Sequence, residues 1–388
     1  MKKIVFLVLA MAMLAVLNGC GKTNSGYQLS GASGAKSSVF LQQEKNNGFF
    51  IAGNVAASAG CNDFYTLEVD AHGKKESGRT IQVGRCAETM DAQRTSDGGS
   101  VFAGNIQVQP GGREAYILKI GSDNSTQWEK TFGGASDDEA RSVRETADKG
   151  YIVAGFTQSF GKSINAYMIK TDSAGKKIWE KVYGGNNCST LRAVVQTEDG
   201  GFLACGTIAG SCSAGNGLYV LRTDALGKEK WSKAYGANYR SLEGCCLLRL
   251  SSGGYIIAGN SRSKDKGDWD MYLAKIDETG NLLWEKSFGT SSDEYASAIT
   301  ESSDGGFILA GLTYDGTQSK ILMAKNAGDG TPVNSLLYGG GALDMATCVE
   351  KANGGGYLFS GRISASGGKQ ELFIVKTDEG LHNIRRIF

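Results

Sequence analysis

Gly150-Tyr151-Ile152-Val153-Ala154-Gly155 is one copy of a short apolar stretch that returns about every fifty residues along the chain. The seven copies read GFFIAG at 48–53, GSVFAG at 99–104, GYIVAG at 150–155, GFLACG at 201–206, GYIIAG at 254–259, GFILAG at 306–311 and GYLFSG at 356–361. Their last residues, termed marker glycines, are Gly53, Gly104, Gly155, Gly206, Gly259, Gly311 and Gly361, spaced by 50 to 53 positions. Such a regular period indicates repeated structural units.

Each repeat is predicted to contain four short strands. In the unit from 142 to 185 they begin at Ser142, Tyr151, Tyr167 and Lys177. Turns such as Asp172-Ser173-Ala174-Gly175 connect the strands, and glycine supplies the positive φ that a tight turn needs. Four antiparallel strands in about fifty residues are typical of a propeller blade. The sequence therefore predicts an all-β fold, a seven-bladed β-propeller with about 51 residues per blade.

A second motif accompanies these stretches and reads WEKTFGG at 128–134, WEKVYGG at 179–185 and WEKSFG at 284–289. Together with strands such as DGGYIVAG, it resembles the WEKxFGG propeller repeats of exported bacterial and archaeal proteins. The resemblance covers 37–388 and implies the fold, but it implies little about function. The repeats that it implies are approximately 37–85, 86–136, 137–187, 188–240, 241–292, 293–342 and 343–388. The first and last depart from the pattern, with Ser77 and Ile384 near the tryptophan position.

The N-terminal residues follow the pattern of an export signal, with Lys2 and Lys3 before an apolar run from Ile4 to Leu17. The run ends in Leu17-Asn18-Gly19-Cys20 and resembles a bacterial lipoprotein signal peptide over 1–19, which implies lipidation of Cys20. An ordinary signal peptide and an uncleaved anchor are the alternatives. We expect a tether over 20–26, a propeller over 27–388, and an extracytoplasmic protein anchored to the bacterial membrane. Because Gly21 follows the cysteine, the resemblance favours the outer membrane where one exists.

Charge and histidine content restrict the function. The 41 basic and 40 acidic side chains leave a formal net charge of +1, so no overall field attracts nucleic acid. We expect no nucleic-acid partner, membrane contact only through the lipid, and a monomer. The two histidines, His72 and His382, fit no catalytic triad or metal-site spacing. Paired carboxylates for glycoside cleavage remain open, because their separation is spatial.

The variable segments lie on one face of the predicted propeller. The loops between second and third strands share this face, termed the loop face, with the links between blades, whereas short turns occupy the opposite turn face. Loops on a rigid scaffold commonly carry function. Trp269, flanked by Asp268 and Asp270, is therefore a candidate for binding a sugar or a peptide side chain. The further candidates on the loop face are Tyr239, Arg240 and Arg113. The alternative is that Trp269 packs on its own blade.

These features favour a non-catalytic, lipid-anchored propeller that binds an envelope protein or glycan through its loop face. The alternatives are a carbohydrate-active enzyme that uses loop carboxylates and a structural component of the cell envelope. No cofactor is predicted. Calcium at Asp137, Asp138 or Asp293 is an alternative, although these acidic runs lack the alternating ligands of a dedicated calcium loop.

The cysteines and a set of polar residues at one repeated position give further predictions. Of nine cysteines, eight remain besides Cys20, and an exported domain can retain disulfides. Shared positions on the loop face predict the pairs Cys61 with Cys86 and Cys188 with Cys212. Cys205, Cys246 and Cys348 are expected to be buried free thiols. Polar residues stand ten positions before every marker glycine, and we expect Arg94 to pair with Glu145 and Arg249 with Glu301 across neighbouring blades.

Overall fold

The computed structural model describes residues 36–387 apart from 57–61, 84–85, 109–111, 162, 213–215, 237, 266 and 365–369. The described ranges contain strands and turns but no helix, and hence no helix that could cross a membrane. The predicted signal peptide, the lipidation site Cys20, the tether and the disulfide partner Cys61 all lie outside the described residues.

Twenty-eight strands are present in the described part of the chain. The first eight are β1 (Lys36–Gln43), β2 (Phe49–Ala56), β3 (Asn62–Val69), β4 (Lys75–Ile81), β5 (Ala87–Arg94), β6 (Ser100–Gln107), β7 (Arg113–Ile120) and β8 (Thr126–Phe132). The next eight are β9 (Asp138–Glu145), β10 (Tyr151–Thr157), β11 (Asn165–Thr171), β12 (Lys177–Tyr183), β13 (Cys188–Gln196), β14 (Phe202–Ala209), β15 (Gly217–Thr223) and β16 (Glu229–Tyr235). The last twelve are β17 (Tyr239–Arg249), β18 (Tyr255–Ser263), β19 (Trp269–Ile276), β20 (Leu282–Phe288), β21 (Asp293–Glu301), β22 (Phe307–Tyr314), β23 (Ser319–Asn326), β24 (Pro332–Tyr338), β25 (Met345–Lys351), β26 (Tyr357–Ser364), β27 (Gln370–Thr377) and β28 (Ile384–Arg386).

The strands form successive groups of four, β1–β4, β5–β8 and so on to β25–β28. Within each group neighbouring strands are antiparallel and pair in chain order, as in β9-β10-β11-β12. A single bridge between Asn62 and Ala87 joins the first two groups into one eight-stranded sheet. The groups are the blades of a β-propeller, so the predicted all-β propeller fold with four antiparallel strands per blade is confirmed.

The second strand of a blade is buried on both faces, and in β10 every residue is buried. On one face, Tyr151 and Val153 pack with Ile117 of the preceding blade. On the other face, Ile152 packs with Phe202 of the following blade. The hydrophobic clusters therefore lie between blades, which explains why these strands are apolar throughout and do not alternate with polar residues.

The tryptophan of the WEK motif fastens the outer edge of one blade to the next. Trp128 Nε1 donates to the carbonyl oxygen of Ser173 at 3.0 Å. Its ring covers Gly175, where an added Cβ would lie 2.7 Å from the indole, and this glycine has a φ of +75°. The same contact with a turn glycine recurs for Trp179 on Gly227, Trp231 on Gly280 and Trp284 on Gly330. The motif is thus a contact between blades.

The polar residues ten positions before the marker glycines do not pair as predicted. Arg94 Nη2 binds Glu44 Oε1 at 2.9 Å, and Glu145 Oε2 accepts a hydrogen bond from the Ser96 backbone at 2.8 Å. Arg249 forms its ion pair with Glu198. The predicted pairs Arg94–Glu145 and Arg249–Glu301 are therefore wrong, because each side chain reaches the turn of the preceding blade and not the same position on its neighbour.

A contact of this type also joins the two ends of the described chain. Gln43 Oε1 accepts a 2.6 Å hydrogen bond from the backbone of Asn353. Ser38 Oγ lies 3.1 Å from Ser360 Oγ, and Ile51 shares a hydrophobic cluster with Leu358. No sheet combines strands from both ends within the described ranges. The first and last blades are therefore held together there by packing and by side-chain hydrogen bonds.

This closure predicts that cysteines at positions 38 and 360 will form a disulfide. The double variant Ser38→Cys/Ser360→Cys, joining residues 322 positions apart, should oxidise in air and stabilise the fold by up to about 4 kcal/mol through loss of unfolded-state entropy. Peptide mass spectrometry should identify the bond, and chemical denaturation should measure the gain. The single variants are controls. A folded double variant in which positions 38 and 360 both remain free thiols would contradict the contact.

Candidate functional site

The marker glycines lie opposite a β-bulge in the first strand of each blade. In β9, Ala140 pairs with Gly155 and Ser142 with Ala154, so Arg141 has no partner across the ladder. A Cβ on Gly155 would overlap the carbonyl oxygen of Glu139, far inside the 3.0 Å limit of real Cβ contacts. The equivalent overlap occurs at every marker glycine. Glycine is therefore required where the bulge brings the two backbones together.

The bulges direct one side chain from each blade toward the axis. Each unpaired residue stands fourteen positions before its marker glycine, as residue 141 stands before residue 155. The set is Val39, Met90, Arg141, Arg192, Cys245, Ser297 and Thr347. All of them line a cavity of about 550 Å³, termed the axial cavity. Sequence reasoning missed this set, whose members share no chemical type.

Arginines predominate among the charged residues of the axial cavity. Among the described residues, the lining contains Arg94, Arg141, Arg144, Arg192 and Arg362 and three carboxyl groups, those of Glu88, Asp91 and Glu350. Burial, reinforced by the nearby Glu139, raises the pKa of Glu88 to about 9. Burial also raises the pKa of Glu350 to about 7. At neutral pH the lining side chains therefore carry a net positive charge.

Three of the five arginines have close acidic partners. These ion pairs are Arg94–Glu44, Arg144–Asp91 and Arg141–Glu139. Arg192 lies 3.6 Å from Glu243, and its Nε and Nη1 atoms are buried without a hydrogen-bond partner. Arg362 Nε is also buried without a partner, and burial lowers the pKa of this guanidinium to about 10. Arg192 and Arg362 therefore have unused donor groups.

On the loop face, Trp269 packs across the boundary between two blades. It begins β19, and its ring lies 6.0 Å from the ring of Tyr295 on β21. Its backbone nitrogen donates to Asp293 Oδ1 at 2.9 Å. Both rings are half-buried. Trp269 thus contacts the neighbouring blade. The alternative expectation, that it packs only on its own blade, is therefore not met. Part of the surface of both rings remains exposed.

The aromatic pair adjoins a groove between the same two blades. Asp270 and Glu294 converge on Gly289, where an added Cβ would overlap both carboxylates. Gly289 and Glu294 also line a groove of about 630 Å³ that extends along β24. Val333 and Leu337 in this groove are 59% and 49% exposed. We term the surface formed by Trp269, Tyr295, Asp270 and Glu294, with Leu337 of the neighbouring groove, the loop-face patch. Val333 lies at the other end of β24, next to the turn 327–331 on the turn face.

The remaining candidates have different positions. Tyr239 packs its ring 5.8 Å from that of Tyr272, within the blade that carries Trp269. Arg240 is the unpaired residue of a second bulge in β17 and is exposed, and Asp268 is half-buried beside Trp269. Arg113 lies on β7, where its backbone donates to Asp137. Arg113 therefore belongs to another blade and is not part of the loop-face patch.

The acidic candidates for calcium accept hydrogen bonds from the chain itself. Asp138 Oδ2 accepts from the Gly134 backbone at 2.8 Å and from Ser159 Oγ at 2.6 Å. Asp137 accepts from Arg113 and Asp293 from Trp269. In the described ranges, no group of three or more His, Cys, Asp or Glu side chains is placed to hold a metal ion. These aspartates fasten the links between blades.

Some cysteines form disulfides near the loops, and others are free thiols, most of which line the axial cavity. Cys188 and Cys212 form a disulfide with their Cα atoms 5.1 Å apart, the pair expected from the sequence. Cys86 is disulfide-bonded, but its predicted partner Cys61 lies outside the described residues. The free thiols are Cys205, which is buried, and the half-buried Cys245, Cys246 and Cys348. The last three line the axial cavity.

Comparisons with known proteins support the fold. No family model matches the chain. Over 219 residues it is 25% identical to the regulatory protein FlaEY of Caulobacter vibrioides, a match that covers 49% of this chain and 22% of FlaEY. The chain thus spans about a fifth of that relative's length.

Two solved structures share the architecture of this chain. A mutant puromycin hydrolase complexed with PGG matches 94% of this chain and 56% of its own, with a TM-score of 0.56 and 11% identity. The β-propeller domain of the Trilobed protease from Pyrococcus furiosus matches 92% of this chain and 96% of its own, with a TM-score of 0.50 and 10% identity. These likenesses show a β-propeller fold.

The bulge contact predicts that Gly155→Ala will be strongly destabilising. The new methyl group would overlap the Glu139 carbonyl, and we expect a loss of about 2–4 kcal/mol because two packed strands must separate. Chemical denaturation measures the change. Gly210→Ala is the matched control, since an added Cβ there has no neighbour within 4 Å. Equal stability of both variants would contradict the close approach.

Proposed function

We propose that the chain is a lipid-anchored, seven-bladed β-propeller that binds an envelope protein or glycan on its loop face and catalyses no reaction. The blade number is supported by the 28 described strands in groups of four and by the packing of the first group against the last. The export-type N-terminus and the resemblance to WEKxFGG repeats support the location. The regulatory name of FlaEY fits a binding role.

The loop-face patch is the observation that carries the binding proposal. The half-exposed rings of Trp269 and Tyr295 lie on the same face as Asp270, Glu294 and the loop-face end of a groove that contains the exposed Leu337. Aromatic side chains with an apolar body and polar neighbours are enriched at recognition surfaces. The groove, at about 630 Å³, is large enough for a short extended segment of a partner.

The axial cavity gives little support to the carbohydrate-active alternative. Glycoside cleavage needs one carboxyl group as an acid and a second as a nucleophile or base across the bond. The cavity has more arginines than carboxyl groups, and one of its acids, Asp91, forms an ion pair with Arg144. Both solved neighbours are named for enzymes, but at 10–11% identity their activities are not transferred.

Trp269→Ala should weaken partner binding by about tenfold or more, because a central aromatic anchor is removed. Binding is measured by interferometry on immobilised envelope glycans and on proteins captured from an envelope extract. Leu226→Ala is the matched control, since Leu226 is 71% exposed in a turn on the opposite face. Both variants should unfold in a single cooperative transition, with a lower melting temperature only for Trp269→Ala, which loses the contact with Tyr295. Equal binding by both would exclude the loop-face patch.

Cys20→Ser should abolish membrane attachment, because the predicted lipid would be joined through the Cys20 thiol. Metabolic labelling with an alkyne fatty acid, followed by fractionation, should show labelled wild-type protein in the membrane and unlabelled variant in the soluble fraction. Cys86→Ser, which removes a cysteine of the described region, should stay labelled. A membrane-bound, unlabelled wild type would instead indicate the uncleaved-anchor alternative.

A further inference from the structure

We propose that the axial cavity binds a small organic anion that joins a carboxylate or phosphate group to an apolar part. This site differs from the loop-face patch in position, size and lining. It does not depend on the binding of a protein or glycan, so either proposal can fail alone.

The cationic part of the site comes from two neighbouring bulges. Arg141 and Arg192 both project into the cavity, and each side chain is only 11% exposed. Glu139 binds Arg141 at 2.6 Å, whereas Glu243 remains 3.6 Å from Arg192. A buried guanidinium with unused donors is energetically unfavourable. Because Nε and Nη1 are closed to solvent, an oxyanion in the cavity would meet the exposed part of the guanidinium and would reach these donors only after the group turns toward it. The planar fork of arginine suits carboxylate and phosphate oxygens.

A second incompletely paired cation lies in the same cavity. Arg362 forms no ion pair with any residue in the described ranges, and its Nε atom has no hydrogen-bond partner. Asp344 is the acid that acts on it electrostatically, but this carboxylate accepts hydrogen bonds from the backbone of Gly340 and Ser364. Arg362 therefore adds positive charge, offset only in part by Asp344, to the field that an entering anion experiences.

The rest of the ring provides an apolar surface and neutral polar groups. In chain order, Val39 and Met90 precede Arg141, and Cys245, Ser297 and Thr347 follow Arg192. One side of the ring is thus apolar and the adjacent side cationic. A ligand with an anionic head and an aliphatic part can contact the cationic side with its head and the apolar side with its aliphatic part. The volume of about 550 Å³ admits a small molecule and excludes a folded partner.

The experiment compares hexanoate, hexyl phosphate, acetate and hexan-1-ol as probes, with calorimetric titration and thermal shift as readouts. The proposal expects binding of hexanoate or hexyl phosphate, and the tighter of the two identifies the head group. Acetate should bind at least about tenfold more weakly because it lacks the apolar part. Hexan-1-ol should not bind measurably. Equal affinity for hexan-1-ol and both hexyl anions, or no binding of either anion, would overturn the proposal.

Two different substitutions of Arg192 are compared, so that the proposal can be tested even when one of the variants does not fold. Arg192→Gln should weaken binding of the better hexyl anion by about tenfold or more, because one charge-assisted contact is lost. Should Arg192→Gln unfold, Arg192→Lys retains the charge opposite Glu243 but loses the planar fork, and it should also bind more weakly. Arg79→Gln, an exposed arginine outside the cavity, is the control. Unchanged affinity in the folded Arg192 variants would refute the assignment.

Discussion

The close approach between the marker glycine of each second strand and a carbonyl of the bulged first strand is the constraint on which the structure depends. At Gly155 the space that a Cβ would need is occupied by the carbonyl oxygen of Glu139. The approach lets the first strand bulge, and the bulge in turn directs Arg141 to the axis. A sequence feature that repeats for packing reasons therefore also fixes the geometry of the axial cavity.

Residues that recur in each repeat and residues that differ between repeats have different roles in this propeller. Contacts between blades use repeated residues, such as Trp128 on Gly175 and the fully buried strand β10. Positions without a repeated chemical type, such as Arg192 and Trp269, lie at the bulges and on the loop face. Because contacts between repeated residues recur at successive blade boundaries, substitutions at the variable positions can change binding without changing the fold.

The sequence allowed prediction of features that depend on local patterns. Asp/Gly turns and strands that are apolar on both faces suffice to predict four-stranded blades, and a shared face brings Cys188 close to Cys212. The pairing of Arg94 with Glu44 could not be predicted, because it depends on how neighbouring blades are staggered. The bulge residues were missed because a bulge shifts the strand register without a compositional signal. Arg141 and Arg192 therefore resemble ordinary polar residues of a strand.

The arginines of the axial cavity are difficult to explain by stability alone. Val39 and Met90 show that the same bulge position accepts apolar side chains. Burying a guanidinium costs several kcal/mol unless an acid and further acceptors surround it. Glu139 meets this need for Arg141, but Glu243 does so only incompletely for Arg192. Since a hydrophobic residue would stabilise the ring at lower cost, the presence of a charge at Arg192 is better explained by a ligand that binds the guanidinium.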